Sequence, residues 1–307
     1  MNWILLVIIA VLFDVFRIFI DNYVSDVYFK KRSAVSQKMF YGFADAITGI
    51  GALSILIPSL GITNYSTAGF LLLSGVFSAV AGIPYLKALE IDDSTNLGIF
   101  IQLAPVLYLI IGWCFLGEAF SPMQLIAFFF ILAAPLLIVI TSRKRSRQTK
   151  LKAVIYAFIY VCISVIGNLI FVKANAGSAN FVESLAFFLL GKGVSNIIII
   201  WAKPKWHQRF KDVIKTSKGK ALRPMVSNFL ISLIKDFSYR GALVFAPTVA
   251  LASAASDSAE PIVIFFMGLL LTLIWPKFGR EKLNRRSILI HLAATVLVVI
   301  GVVLLQM

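Results

Sequence analysis

The sequence predicts an all-α integral membrane protein with about ten transmembrane helices, arranged as two inverted five-helix repeats. Of the 307 residues, 60% are hydrophobic and 14% are charged, whereas soluble domains are about 45–50% apolar and about 25% charged. Apolar stretches recur along the chain at the length of about 20 residues that crosses a bilayer as helix. Helix is the expected spanning element because lipid offers backbone polar groups no water partner.

Ten apolar stretches give the predicted spans, and the loops between them are too short for a soluble domain. The first stretch is interpreted as a span, not a signal peptide, because it lacks a basic leading region and contains Asp14 and Arg17. The predicted spans are 3–24, 39–60, 65–86, 95–116, 121–141, 151–173, 180–201, 224–246, 249–275 and 286–306.

Basic residues are distributed unevenly between the two sides of this topology. Of the 29 Lys and Arg residues, 24 fall in or beside the loops of one side, and Lys173 is alone on the other. The positive-inside rule puts the basic loops in the cytoplasm and both termini outside. The net charge of +15 therefore indicates membrane loops and no nucleic-acid partner.

The cysteines and histidines do not predict a metal site. Cys114, Cys162, His207 and His291 are too few and too scattered for any ligand spacing. We expect no cofactor and no catalytic residues.

Two halves of the chain share an order of motifs. An Ala-Leu pair is followed by a proline, then a glutamate, then an apolar span, first at Ala88, Leu89, Pro105 and Glu118, and again at Ala242, Leu243, Pro261 and Glu281. The predicted organisation is a first repeat at 1–142, a basic loop at 143–150 and a second repeat at 151–307. Because five spans is an odd number, tandem halves enter the membrane in opposite orientations, which is common in secondary transporters with a site near the midplane.

The motif-bearing segments resemble a known family. The segment YLKALEIDDSTNLGIFIQLAPVLYLIIGWCFLGEAFSPMQLIAFFFILAAP, and the later SAEPIVIFFMGLLLTLIW with GREKL and VLVVIGVVLL, resemble EamA-type ten-helix transporters of the drug/metabolite transporter superfamily. The similarity covers 85–141 and 242–306. It implies two inverted repeats, no ATP site and gradient-driven transport of small metabolites. That family is often drawn with both termini in the cytoplasm, opposite to the charge distribution here, and the second half lacks an LGE sequence. We expect the bacterial cytoplasmic (inner) membrane.

Charged residues within spans are the candidate site residues, because charge at the bilayer centre costs at least about 2.5 kcal/mol. Asp14 and Arg17 share one helix face with Asp21. Two interpretations stay open for this face, a structural ion pair and the wall of a solute cavity. Asp45, nearer the end of span two, is predicted to be interfacial.

Three further spans carry substrate-binding candidates. Polar residues recur every four positions in spans six and eight, which suits a cavity wall or hydrogen bonds between helices. Span seven places a lysine between two glycines, where it could neutralise a nearby acid. The candidates in these three spans are Tyr160, Ser164, Asn168, Lys192, Ser232, Asp236 and Arg240. A further candidate is Gln102, whose amide side chain lies near Pro105 in span four.

Asp257 and Glu260 in span nine are the predicted ion-coupling residues. They are three positions apart on one helix face, so their charges repel when both are ionised, and one is expected to hold a proton.

The function predicted from these features is secondary transport by alternating access, with proton coupling as an option. The mixture of buried charges suits a zwitterionic solute such as an amino acid. The expected partners are this small molecule and the lipid bilayer, with the protein a monomer or a homodimer. The alternatives are a membrane-embedded enzyme, for which the sequence offers no HExxH or GxSxG motif, and a non-transporting membrane scaffold.

Overall fold

The structure, a computed structural model, describes residues 2–29, 36–56, 64–91, 104–117, 119–142, 151–178, 180–274 and 285–304. Within these ranges the regular structure is entirely helical, which confirms the predicted all-α class. The α-helices are α1 Trp3–Val24, α2 Gln37–Leu56, α3 Tyr65–Ile91, α4 Ala104–Ile111, α5 Pro122–Ser142, α6 Leu151–Asn175, α7 Phe181–Trp201, α8 Pro204–Thr216, α9 Leu222–Phe245, α10 Val249–Ile274 and α11 Arg285–Leu304. Single π-helical turns follow α1 (Ser25–Phe29) and α4 (Gly112–Leu116).

A helix lies at each of the ten predicted spans, and α8 is an additional one. In the described part of the chain, six helices are long and apolar enough to cross a membrane by themselves: Trp3–Asp21, Gln37–Leu56, Tyr65–Ala88, Leu151–Asn175, Phe181–Trp201 and Val249–Gly268. Two shorter helical segments, Ala104–Leu116 and Leu292–Gly301, are also apolar. These helices show an integral membrane protein.

Helix ends follow ordinary capping chemistry. Pro247 separates α9 from α10, and the Thr248 hydroxyl oxygen accepts a hydrogen bond at 3.3 Å from the backbone N–H of Leu251, which satisfies one orphan donor of the first turn. In the LGE sequence, Gly117 adopts a left-handed φ of +68°, and its N–H bonds the Gly112 carbonyl. That conformation favours glycine, so this part of the motif has a structural purpose.

The chain divides into two compact units. The first unit contains 1–18, 102–149 and 234–307, and the second contains 19–101 and 150–233. Helices α1 and α9 contribute residues to both units, and each unit draws on both halves of the chain. The division into repeats at 1–142 and 151–307 stays a prediction, and the loop at 143–150 lies outside the described residues.

In the first unit, helix α10 packs against α4, α5 and α11, and α5 also packs against α11. The first half of α10 is rich in buried small residues, including Ala250, Ala252, Ser253 and Ala254, each 0% exposed. Small side chains let neighbouring helices approach closely. The two carboxylates of α10, Asp257 and Glu260, follow this packed segment and are partly buried.

In the second unit, α7 packs closely against both α2 and α3. A Cβ on Gly193 would lie 2.7 Å from the Asp45 carbonyl oxygen of α2. A Cβ on Gly191 would collide with the Leu72 carbonyl of α3. The two glycines therefore let the helix that carries Lys192 approach α2 and α3 closely.

Helix α8 was not predicted from the sequence, which indicated a loop there. Its apolar residues Phe210, Val213 and Ile214 pack on a buried cluster in the second unit, whose members are Val24, Phe29, Ala221 and Met225. Pro204 opens the helix, as is common for proline at the first helical position. The remaining face of α8 is exposed and basic.

We predict that Gly191→Ala lowers the thermal unfolding midpoint in detergent, because its new methyl group meets backbone atoms that cannot rotate away. Overpacking of this kind costs about 1–3 kcal/mol. Gly51→Ala is the matched control, because a Cβ there meets nothing within 4 Å. Equal midpoints for the two variants would contradict the packing described.

Candidate functional site

An ion network in the first unit joins the charged residues of α1 and α9. The Asp14 carboxylate binds Arg17 Nε at 2.6 Å and Lys235 Nζ at 3.5 Å. Lys235 Nζ also lies 3.8 Å from a carboxylate oxygen of Asp236. The Asp14–Arg17 pair foreseen from the spacing is thus formed, and Lys235 extends it to a second helix.

The network is partly open. The side chains of Arg17, Lys235 and Asp236 are each 21% exposed, and that of Asp14 is 17% exposed. Sealed ion pairs would have exposures near zero, and surface pairs would be mostly exposed. A small polar molecule could therefore contact these charged groups without dismantling the pairs.

An inner layer of aromatic and polar groups lies beside the ion pairs. Lys235 Nζ stands 5.3 Å from the centre of the Tyr239 ring, within cation–π range. Arg240 is buried at 5% exposure and interacts electrostatically with Asp236, Tyr108 and Tyr239. Tyr108 was not among the predicted site residues. It is buried in α4 at 1% exposure, and its side chain hydrogen-bonds with that of Tyr239. The apolar stretch around it gave no sign of this contact.

The acidic residues of α10 belong to the same network. Ser253 Oγ donates a 2.8 Å hydrogen bond to Asp257 Oδ2, and Tyr239 hydrogen-bonds with the side chain of Ser253. Asp257 interacts electrostatically with Lys235 and Asp14. Glu260 interacts electrostatically with Asp14, Asp257, Arg17 and Lys235. Both predicted ion-coupling residues are therefore coupled to the pairs of α1 and α9.

The network's described members have unequal numbers of acids and bases. Four carboxyl groups face three cationic side chains: Asp14, Asp236, Asp257 and Glu260 against Arg17, Lys235 and Arg240. With every group ionised, this set carries one excess negative charge. Burial of an uncompensated charge is unfavourable, so the set suits one bound proton or one added cationic group.

A second buried polar cluster lies in the second unit around Asp45. Lys192 Nζ is 3.0 Å from Asp45 Oδ1, and Asn196 Nδ2 donates to Asp45 Oδ2 at 2.9 Å. Asp45 is only 3% exposed, so its carboxylate is buried between helices, and its interfacial position in the membrane stays a prediction. The acid that Lys192 neutralises is Asp45. Asn196 lies one helical turn after Lys192, and that spacing was the available signal.

Lys38 is a further member of this cluster that the sequence analysis assigned to a loop. It lies in the first turn of α2 at 6% exposure and interacts electrostatically with Asp45 and Lys192. Its Nζ would be 3.0 Å from a Cβ at position 82, where the chain has Gly82. The missing side chain of Gly82 leaves room for the ammonium group.

The other substrate-binding candidates lie in different surroundings. The Tyr160 ring packs against Tyr85 with their centres 5.2 Å apart, and Ser164 and Asn168 are half-buried on the same helix, α6. The Ser232 hydroxyl donates to the Asn228 carbonyl of its own helix at 2.8 Å. Gln102 lies outside the described residues.

One hydrogen-bonded triad in the second unit links α1, α2 and α9. Tyr41 donates its hydroxyl proton to Asp21 at 2.8 Å, and Asn228 Nδ2 contacts both Asp21 and Tyr41, at 2.8 and 2.7 Å. The sequence placed Asp21 on the charged face of the first span but gave no indication of Tyr41. The triad explains how a buried Asp21 is accommodated.

One family model and several solved structures match this chain. The family model "EamA-like transporter family" matches residues 1–140. Among 28 matching chains of solved structures is one described as "Crystal structure of protein", with 14% identity and a TM-score of 0.57, covering 96% of this chain and 95% of that one. At that identity the likeness concerns the fold alone. The comparison with curated proteins gives no match.

The apolar helices define an integral membrane protein, and the family match over its first part is consistent with a transporter. The match over residues 1–140 confirms, for that part of the chain, the resemblance to EamA-type transporters inferred from the motifs.

We predict that Asp45→Asn and Lys192→Gln each destabilise the protein, because either change leaves the remaining charge buried without its partner. Breaking a buried pair from one side costs about 3–5 kcal/mol. The double variant is expected to lose less stability than the sum of the single losses. The measurement is a double-mutant cycle of thermal unfolding in detergent.

Asp212→Asn and Lys152→Gln are the matched controls for that cycle, since both residues are exposed on the helix surface. They are expected to shift the midpoint little and additively. A coupling near zero between Asp45 and Lys192 would contradict a buried pair.

Proposed function

We propose that the protein is a secondary transporter that carries a small zwitterionic solute, such as an amino acid, by alternating access. The solute binds at the ion network of the first unit. The observation that carries this proposal is the partial exposure of the charge network. Its outer side chains are 17–21% exposed, whereas a network that served stability alone would be sealed. The match of residues 1–140 to the EamA-like transporter family supports transport of a small molecule across the bilayer.

The chemistry of the network fits both ends of a zwitterion. The guanidinium group of Arg17 can bind a carboxylate in the bidentate geometry that carboxylates favour. Asp236 and Asp14 offer carboxylate oxygens to an ammonium group. Because both signs are present within one network, a solute carrying one charge would leave part of the site uncompensated.

The unequal charge count suggests how a proton could be coupled. With four carboxyl groups against three cations, the empty site is neutral when Asp257 or Glu260 holds one proton. A zwitterion adds no net charge, so the site with solute bound still needs that one proton to be neutral, and solute and proton bind together. Joint binding of this kind links solute movement to a proton gradient in the same direction.

The proposed topology is ten membrane-crossing helices in two inverted repeats, with α8 lying outside the bilayer core. The basic loops lie in the cytoplasm and both termini outside, in the bacterial inner membrane. The remaining site candidates, Gln102 and the second-unit residues Tyr160, Ser164, Asn168, Lys192 and Ser232, stay predictions, as does the choice between monomer and homodimer.

The function is tested by reconstituting the purified protein into liposomes and measuring uptake of labelled amino acids with and without a pH gradient. We expect saturable uptake that depends on the gradient. Absence of flux over a broad panel, with folded protein inserted in both orientations, would contradict transport.

Glu260→Gln and Asp257→Asn test the coupling residues. We predict that at least one of them removes the dependence on the pH gradient, and that Asp236→Asn slows uptake about ten- to a hundredfold, since a lost charged hydrogen bond costs about 1.5–3 kcal/mol. Asp212→Asn, an exposed carboxylate on α8, is the matched control and should transport normally.

The site assignment is wrong if Asp236→Asn and Glu260→Gln both leave uptake and its pH dependence intact while the protein remains folded. The ion network would then be a structural element of the first unit.

A further inference from the structure

The second unit has an open groove where α7 ends and α8 begins. Its volume is about 480 Å³, and it is lined by Phe43 of α2, by the end of α7, and by the first turns of α8. The groove contains none of the residues assigned to the ion network. It is therefore a separate feature of the molecule.

One wall of the groove is apolar and exposed. Phe43 is 47% exposed, and Trp201 at the end of α7 is 85% exposed. The Phe43 ring also packs edge-on against His207, with their ring centres 5.9 Å apart. Tryptophan is enriched at the level of the lipid headgroups, where an amphipathic ring meets both water and hydrocarbon.

The other wall is polar and basic. Gln208 and Lys211 line the groove directly, and Lys203 stacks over the Trp206 ring at 5.9 Å. Between residues 203 and 220 there are seven Lys or Arg and a single acidic residue, Asp212. The polar wall therefore attracts an anion, and basic segments beside a membrane helix attract anionic lipids in particular.

We propose that this groove binds an anionic phospholipid. The headgroup phosphate lies at Lys211 and Gln208, and an acyl chain lies along Phe43 and Trp201. The pairing of an apolar wall with a basic wall favours a molecule that has both a hydrocarbon chain and a negative charge. A free phosphate would make no apolar contact with the aromatic wall. A second copy of this chain would bring its own basic face against this one, and the two faces would repel each other.

The proposal is tested by tryptophan quenching in detergent, using phosphatidylglycerol brominated in its acyl chains as the probe. We expect it to quench a component of the fluorescence that Trp201→Phe removes. Phosphatidylcholine with the same brominated chains should need about tenfold higher concentration for equal quenching, because it lacks the net negative charge.

Charge variants distinguish specific lipid binding in the groove from general attraction to a basic surface. Lys203→Gln combined with Lys211→Gln is expected to raise the phosphatidylglycerol requirement to that of phosphatidylcholine. Lys152→Gln, an exposed lysine on α6, is the matched control and should leave the titration unchanged.

Three results would overturn the proposal. The first is identical quenching by the two lipids. The second is an equal loss in the Lys152→Gln control. The third is displacement of the brominated lipid by glycerol phosphate as effectively as by intact phosphatidylglycerol, which would indicate a site for free anions.

Discussion

The constraint on which the structure depends is that a carboxylate in apolar surroundings needs a partner. Asp14, Asp21 and Asp45 lie on the first two helices of the chain, and each binds groups from a helix far away in sequence. Asp45 and Asn196, for example, are 151 positions apart. Removing one partner would leave a charge buried, which is far more costly than losing an exposed pair. These contacts therefore hold helices of each unit in one arrangement.

Close backbone packing makes those contacts possible. Lys192 reaches Asp45 because Gly193 allows α7 to approach the backbone of α2. In the first unit the small buried residues of α10 allow close helix packing, and Asp257 and Glu260 of the same helix lie within electrostatic reach of Asp14. The same packing that satisfies the charges also gathers both signs at one partly exposed place. The proposed solute site follows from this property of the first unit.

The sequence predicted the helices well because hydropathy and length determine where a chain can remain in lipid. It also predicted the charged faces of α1, α9 and α10, since positions three or four apart share one helix face. The partners of Asp21 and Asp45 could not be predicted, because pairing across the chain depends on the tertiary register of the helices. Helix α8 was missed although Phe210, Val213 and Ile214 repeat at helical spacing, because its many lysines made the segment look like a basic loop.

Binding of a solute at the ion network of the first unit is tested most directly by the stabilisation that the bound ligand causes. A ligand that binds only the folded protein raises the unfolding midpoint in proportion to its saturation. We expect the transported solute to raise the midpoint of the wild-type protein in detergent, and we expect the shift to be lost in Asp236→Asn although this variant remains folded. An equal shift in both proteins would show that the solute binds elsewhere and would contradict the account.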